Sequence, residues 1–177
     1  MLVLKIILFV VVGLALLLLI LHLLAPKEAK LERSIRINAS REKIFPYLLY
    51  FEKRDQWSPW MEMDPDVETE LEGEDGTLNA VWRWQGNKKV GKGEQRNTDI
   101  VKNESVETVV KFEEPWQSVA DTYLRMEDAG EDTLVKWGFS SKMSFPFSIM
   151  GLFMNFDKAV GKDYEKGLNK LKNLVEG

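Results

Sequence analysis

The hydrophobic and polar positions of this chain fall into three patterns. Leu2 to Leu24 is apolar on every side apart from Lys5, Gly13 and His22. From Leu31 the pattern alternates: Leu31, Arg33, Ile35 and Ile37 against Glu32, Ser34 and Arg36 predict a first strand. Ile44, Phe45, Leu48, Leu49 and Phe51 predict short helices, with Asn38-Ala39-Ser40 as the cap candidate and Pro46 as a kink or restart. Alternation resumes in Val67–Glu72, Thr77–Gln85, Lys89–Ile100, Ser105–Phe112, Gln117–Met126 and Thr133–Ser141, with turn residues between them. This spacing predicts an antiparallel meander. From Leu152 to Val175, Phe153, Phe156, Val160, Tyr164, Leu168, Leu171 and Leu174 share one helical side, and Lys158, Lys162, Glu165, Lys166, Asn169 and Asn173 share the other. Such a helix is about 36 Å long. Only the block of strands offers its apolar stripe a partner that large. The fold class is therefore α+β, an antiparallel sheet carrying a long C-terminal helix.

Two positions interrupt that stripe. Gly167 stands where a bulky residue is expected, and Asp157 stands about 40° from the stripe centre, where a charge is not. Gly167 has two readings: close approach of helix and sheet, or room left for a ligand. Asp157 needs a partner if buried, and Arg83 or Arg125 of the sheet are the candidates. A structural ion pair is one role for it. A polar anchor or general acid at the end of an apolar pocket, paired with Tyr123, is the other.

The N-terminal run spans about 34 Å as a helix, enough for a hydrocarbon core of about 30 Å. It exceeds the usual ~7–15 residues of a signal-peptide core. The best cleavage candidate, Leu23-Leu24-Ala25, is followed by Pro26 and lacks the expected small residue two places earlier. Residues 1–25 are therefore expected to be an uncleaved single-pass anchor in the bilayer through residues 2–24. A linker (26–30) and one soluble domain (31–177) are expected to follow. Counting Lys27, Lys30, Arg33, Arg36, Arg41 and Lys43 against Lys5 favours the cytoplasmic side for the domain.

Composition narrows the chemistry. The chain has net charge −4, no cysteine and one histidine, His22, which lies in the apolar run. The soluble part thus has no thiol nucleophile, no Ser-His-Asp chemistry and no thiolate or imidazole metal ligand. Its acidic balance argues against nucleic acid as a partner. Gly91-Lys92-Gly93 lacks the rest of a dinucleotide loop, and Glu68-x-Glu70-x-Glu72 reads as a solvated strand face. No metal and no cofactor is expected.

Four stretches together resemble the START-like (SRPBCC, helix-grip) superfamily, and within it the polyketide cyclase/dehydrase-like family. They are Arg33-Ser34-Ile35-Arg36-Ile37-Asn38-Ala39-Ser40 leading to Ile44-Phe45-Pro46-Tyr47-Leu48, then Gln56-Trp57-Ser58-Pro59-Trp60, then Trp82-x-Trp84 with Gly86-Asn87 and Gly91-Lys92-Gly93. The last is Thr133-Leu134-Val135-Lys136-Trp137 with Asp163-Tyr164-Glu165-Lys166-Gly167-Leu168-x-x-Leu171. The resemblance runs from about Arg33 to Glu176 and implies a curved sheet gripping the C-terminal helix around an apolar cavity. Members bind lipids, sterols, polyketides or other hydrophobic molecules. The superfamily shares no catalytic motif, so no catalytic residue is assigned.

On this basis Trp82, Trp84, Tyr123, Trp137, Phe139, Phe153, Phe156, Asp157, Val160, Tyr164 and Gly167 are the cavity candidates, with Trp57 and Trp60 at its mouth. The same aromatics would equally fill an ordinary core. The expected function is membrane-anchored binding of a small hydrophobic ligand. An enzyme of cyclase, dehydratase or hydrolase type, and a structural or stress-related interaction domain without a cavity, are the alternatives.

Overall fold

The computed structural model describes residues 2–153 and 155–177, with the side chains of Phe147, Met150 and Phe156 outside the description. The chain divides into two compact units, residues 1–29 with 142–155, and residues 30–141 with 156–177.

The first unit holds α1 (Leu2–Leu24), which matches the apolar run. This helix is long and apolar enough to cross a membrane, and its residues from Leu2 to Ile20 are all exposed. The same unit contains the segment after the last strand. There the Met143 amide donates to the Lys27 carbonyl at 2.9 Å, and the His22 ring meets Phe145 edge-on at 5.6 Å.

The strands β1 (Glu28–Ile37), β2 (Glu68–Glu72), β3 (Val81–Gln85), β4 (Lys92–Val101), β5 (Ser105–Glu114), β6 (Ser118–Ala129) and β7 (Asp132–Lys142) form one antiparallel sheet, ordered β1-β7-β6-β5-β4-β3-β2. β1 starts inside the stretch expected to be linker. β3 starts later than Thr77, because Asn79 takes φ 66° and Leu78 is left 55 % exposed instead of joining the strand. β4 skips a residue between Asn97 and Asp99, so the inward side passes from Asn97 to Ile100. Between β1 and β2 lie α2 (Arg41–Leu49), α3 (Phe51–Asp55) and a 3-10 turn (Met61–Met63). Pro46 does not break α2. The helix runs on to Leu49, and the restart falls at extended Tyr50.

The second unit is built on Ile37, Ile44, Phe45, Leu48, Trp57, Val106, Leu124, Met126, Val135 and Trp137, closed by α5 (Phe156–Glu176). α5 begins four residues later than the hydropathy pattern suggested. A short α4 (Phe147–Met150) and a turn precede it, so Phe153 lies in that turn, 80 % exposed. The inward stripe of α5 is Val160, Tyr164, Leu168, Leu171 and Val175, and Leu174 is half out of it at 40 % exposure. Two bonds clamp the end of α5 to the sheet. Glu176 accepts from the Asn38 amide at 2.7 Å, and Lys172 donates to the Arg36 carbonyl at 2.9 Å.

Candidate functional site

Strand parity decides which side chains meet the helix. Register pairs Leu124 with Trp137 and Val106, all of the core, so Ala120, Thr122, Leu124 and Met126 point inward on β6. By the same count Val106, Thr108, Val110 and Phe112 point inward on β5. Gly93, Gln95 and Asn97 do so on β4, and Trp82 and Trp84 on β3.

The inner face has a closed part and an open part. In the closed part the Trp137 ring stacks on Tyr164 at 4.0 Å and meets Trp57 and Trp60 edge-on at 5.0 and 5.5 Å. Burial raises the Tyr164 phenol well above its ordinary pKa. A β-carbon at Gly167 would sit 2.9 Å from the Trp137 ring, 3.1 Å from the Pro59 ring and 3.4 Å from the Trp57 carbonyl. Of the two readings of Gly167, the geometry matches close approach: the space beside its Cα is already occupied. Trp57 is buried and donates its indole N–H to the Tyr47 carbonyl at 3.0 Å, so it is a wall and not a rim residue. Trp60 is half-buried. This aromatic loop is tied to α5 by Glu62, which accepts from Lys166 and Lys170; the two ammonium groups hold its carboxyl down at about 2.

The open part lies over β3 to β6. Trp84, Val110, Thr122, Phe139 and Val160 are only half-buried, and Phe112 is 39 % exposed. Trp84 lies over Gly93, where a β-carbon would come within 2.7 Å of its ring, and meets Phe112 edge-on at 5.7 Å. Trp82 stacks against Phe51 at 6.1 Å, and its buried indole nitrogen has no partner among the described residues. Across this face runs a polar row. Gln95 Nε2 donates to Thr108 Oγ1 at 2.8 Å, and Thr108 Oγ1 shares a hydrogen with Thr122 Oγ1 at 2.5 Å. These polar residues occupy inward positions that elsewhere hold Val, Leu and Trp. The hydroxyls and the amide can give and accept hydrogen bonds, but none of them titrates near neutral pH. The row was missed in the sequence, where only aromatic and charged residues stood out. Its signal was a Thr at the buried parity of Val106-x-Thr108-x-Val110 and of Ala120-x-Thr122-x-Leu124.

Other expected residues lie elsewhere. Tyr123 has the parity of Asp121 and Arg125 and sits on the outer face. It reaches over Gly138 to donate to Glu32 Oε2 at 2.6 Å, with the Arg125 guanidinium 4.3 Å above its ring. Burial and Glu32 push its phenol up to about 12. Asp157 does not pair with Arg83 or Arg125, which bind Glu72 at 2.5 Å and Glu107 at 2.6 Å. Its partner is Arg33, an inward residue of β1. Arg33 lies along α5 at Gly161, bonding Asp157 on one side and Glu165 at 2.8 Å on the other. Asp157 and then Glu165 raise the pKa of the Arg33 guanidinium. Asp157 itself is 63 % exposed, so it does not end a buried pocket. Tyr123 and Asp157 therefore form no proton-transfer pair. The Phe156 side chain lies outside the described ones. Among the described residues no cluster of His, Cys, Asp and Glu could hold a metal ion. A separate surface groove of about 580 Å³ between α2 and the β4–β5 turn is lined by Phe45, Pro46, Leu49, Tyr50 and Ile100.

The architecture, seven antiparallel strands with a long C-terminal helix across them, is the helix-grip fold. Residues 28–176 match the sequence model of the family described as polyketide cyclase / dehydrase and lipid transport. The chain belongs to that family. Its START-like fold recurs in the Aha1 dimer from Colwellia psychrerythraea, at 18 % identity and TM-score 0.60, over 84 % of this chain and 96 % of that one. A Chromobacterium violaceum protein matches at 13 % identity and TM-score 0.59, over 86 % and 99 %. A conserved protein of unknown function from Enterococcus faecalis matches at 21 % and 0.55, over 85 % and 72 %. A comparison with curated proteins finds no match. At these identities the likeness speaks for the fold alone.

Proposed function

We propose that this member of the family binds a small, mostly apolar molecule carrying a hydroxyl or carbonyl group. The molecule lies against the open inner face over β3 to β6, and α1 anchors the chain in a membrane. The observation that carries this reading is the Gln95–Thr108–Thr122 row, set at inward positions among half-buried Trp84, Val110 and Phe139. A face meant only to pack would hold apolar residues there, since a polar group taken from water needs a partner. Either Thr can be the donor between them. In one arrangement the Thr122 hydrogen remains for a ligand acceptor, and in both Gln95 Oε1 is available to a ligand donor. Apolar walls with few polar groups are the usual form of a small-molecule site. The family's description, which pairs polyketide chemistry with lipid transport, and the apolar length of α1 support the same reading. The row offers no group suited to proton transfer at neutral pH, so binding is favoured over catalysis.

The test is native mass spectrometry of the full chain released from detergent, followed by fluorescence titration with a fatty-acid probe. A retained apolar molecule, and probe binding weakened by Thr122→Val, are expected. Retention of nothing together with no probe binding would leave an interaction domain with a filled core and overturn the proposal.

A further inference from the structure

The antiparallel order puts the start of β1, the end of β7, the β5–β6 turn and the β3–β4 turn at one end of the sheet. Thr133 at the start of β7 donates to the Ala39 carbonyl beyond the end of β1 at 2.7 Å, which fixes the opposite end. The chain enters the first end directly from the apolar helix, since α1 stops at Leu24 and β1 starts at Glu28. Three residues intervene, and the four steps from Leu24 to Glu28 span at most about 14 Å. The β5–β6 turn lies between two and three strand spacings from β1, roughly 12 Å across.

The side chains at this end suit lipid more than water. Trp116 at the β5–β6 turn is 68 % exposed, Val119 beside it 53 %, and Phe112 on the preceding strand 39 %. The turns at the other end are Asn38-Ala39-Ser40, Gly73-Glu74-Asp75-Gly76, Lys102-Asn103-Glu104 and Gly130-Glu131, where Leu78, Val101, Tyr50 and Leu174 stand out singly at 55, 41, 38 and 40 % exposure. A tryptophan left 68 % exposed on a hairpin tip contributes little to packing. Tryptophan is enriched where a bilayer meets water, because its ring is apolar and its N–H needs a polar partner. That layer is about 5–8 Å thick on each side of the hydrocarbon core, within reach of a tip tethered this closely.

We propose that the β5–β6 turn docks on the bilayer, with Trp116 and Val119 in the interfacial layer. The open inner face would then be presented to the membrane surface at the same end. The occupant is lipid and not a protein partner, because the tether itself delivers this end to the membrane. Charge is mixed there: Lys88 and Lys89 are exposed, but Glu113 pairs with Lys92 at 3.1 Å and Glu114 is exposed beside it. Docking thus relies on the apolar tip more than on anionic headgroups. This inference rests on the anchor reading of α1, so the experiment reads the two separately.

The chain has no cysteine, so single cysteines can carry an environment-sensitive fluorophore in the full-length protein. The sites are Gln117→Cys at the tip, Glu131→Cys at the opposite end and Leu16→Cys within α1. Each is reconstituted in phosphatidylcholine vesicles containing nitroxide lipids labelled near the headgroup or near the chain end. The expected result is deep quenching at 16, shallow quenching at 117 and none at 131. Adding Trp116→Ser with Val119→Ser to the Gln117→Cys chain should abolish the shallow quenching. Quenching at 16 with position 117 as exposed to water as 131 would overturn docking and leave the anchor standing. Equal quenching at 117 and 131, or quenching at 117 indifferent to Trp116, would also overturn it. No quenching at 16 would overturn the anchor, and docking with it.

Discussion

On the β1–β7 side of the sheet, the inward residues Val135, Trp137 and Leu124 lie under α5 at 0, 8 and 5 % exposure. Farther along β6, and on β5 and β4 beyond it, Thr122, Val110 and Gln95 are half-buried and Phe112 is 39 % exposed. The same alternation and the same sheet produce both regions. The difference comes from what each inward position offers to the helix. Beside Trp137 the helix presents Gly167 and Tyr164, so backbone and ring come into contact and no space remains. Beyond Phe139 the helix presents half-buried Val160, and its next contact on the sheet is the exposed-side pair of Arg33 and Asp157. One region is packed shut, and the other keeps its inward side chains partly exposed.

The largest effect should come from emptying the closed region. Trp137→Ala removes a ring that touches Trp57, Trp60 and Tyr164, and should cost about 3–5 kcal/mol in denaturant melts of the detergent-solubilised chain. A loss below ~1 kcal/mol would mean that this region is not the packing centre. Overfilling it comes next. Gly167→Leu forces a side chain against the Trp137 ring and Pro59, and overpacking of this kind costs roughly 1–3 kcal/mol. Affinity for the fatty-acid probe should stay unchanged, because the open face lies elsewhere. A Gly167→Leu chain that melts higher and binds the probe less would reverse the assignment of the two regions.

The fold was largely legible in the sequence, the contrast between the two regions was not, and the failures have physical causes. Every strand was visible as alternation, because a sheet with one covered face must alternate. The Gly167 anomaly was visible too, but a missing side chain looks the same whether the space holds a ligand or the neighbouring backbone. Only the Trp137 and Pro59 positions separate the two. By size Tyr123 reads as a cavity residue, but it is out of step with Leu124 and Met126, and that parity puts it outside. Charge alone matches Asp157 to Arg83 or Arg125, while its partner Arg33 stands at an inward position of the first strand, in step with Leu31 and Ile35. What no local pattern carries is the pairing itself, since Arg33 and Asp157 are 124 residues apart. Leu152 and Phe153 continue the helical period and so predict an earlier start for α5, although they lie in a turn.

The smallest effect should come from the latch on the closed region. Glu62 binds Lys166 and Lys170 and so holds the Trp57–Trp60 loop over α5. The two lysines depress its carboxyl to about 2, from an ordinary 4.5. A depressed carboxylate stabilises the fold above its unfolded pKa and loses that contribution as pH falls toward its folded one. Glu62→Gln should therefore lower the melting midpoint slightly at pH 7. The gap to the wild type should narrow as pH falls below 4.5 and close near 2. Because these groups are solvent-exposed, added salt should shrink the gap as well. Thermal melts across that pH range, at low and high salt, provide the measurement. A gap that persists at the acid end would mean that Glu62 acts through packing of its methylenes, and the closed region would then be held by shape alone.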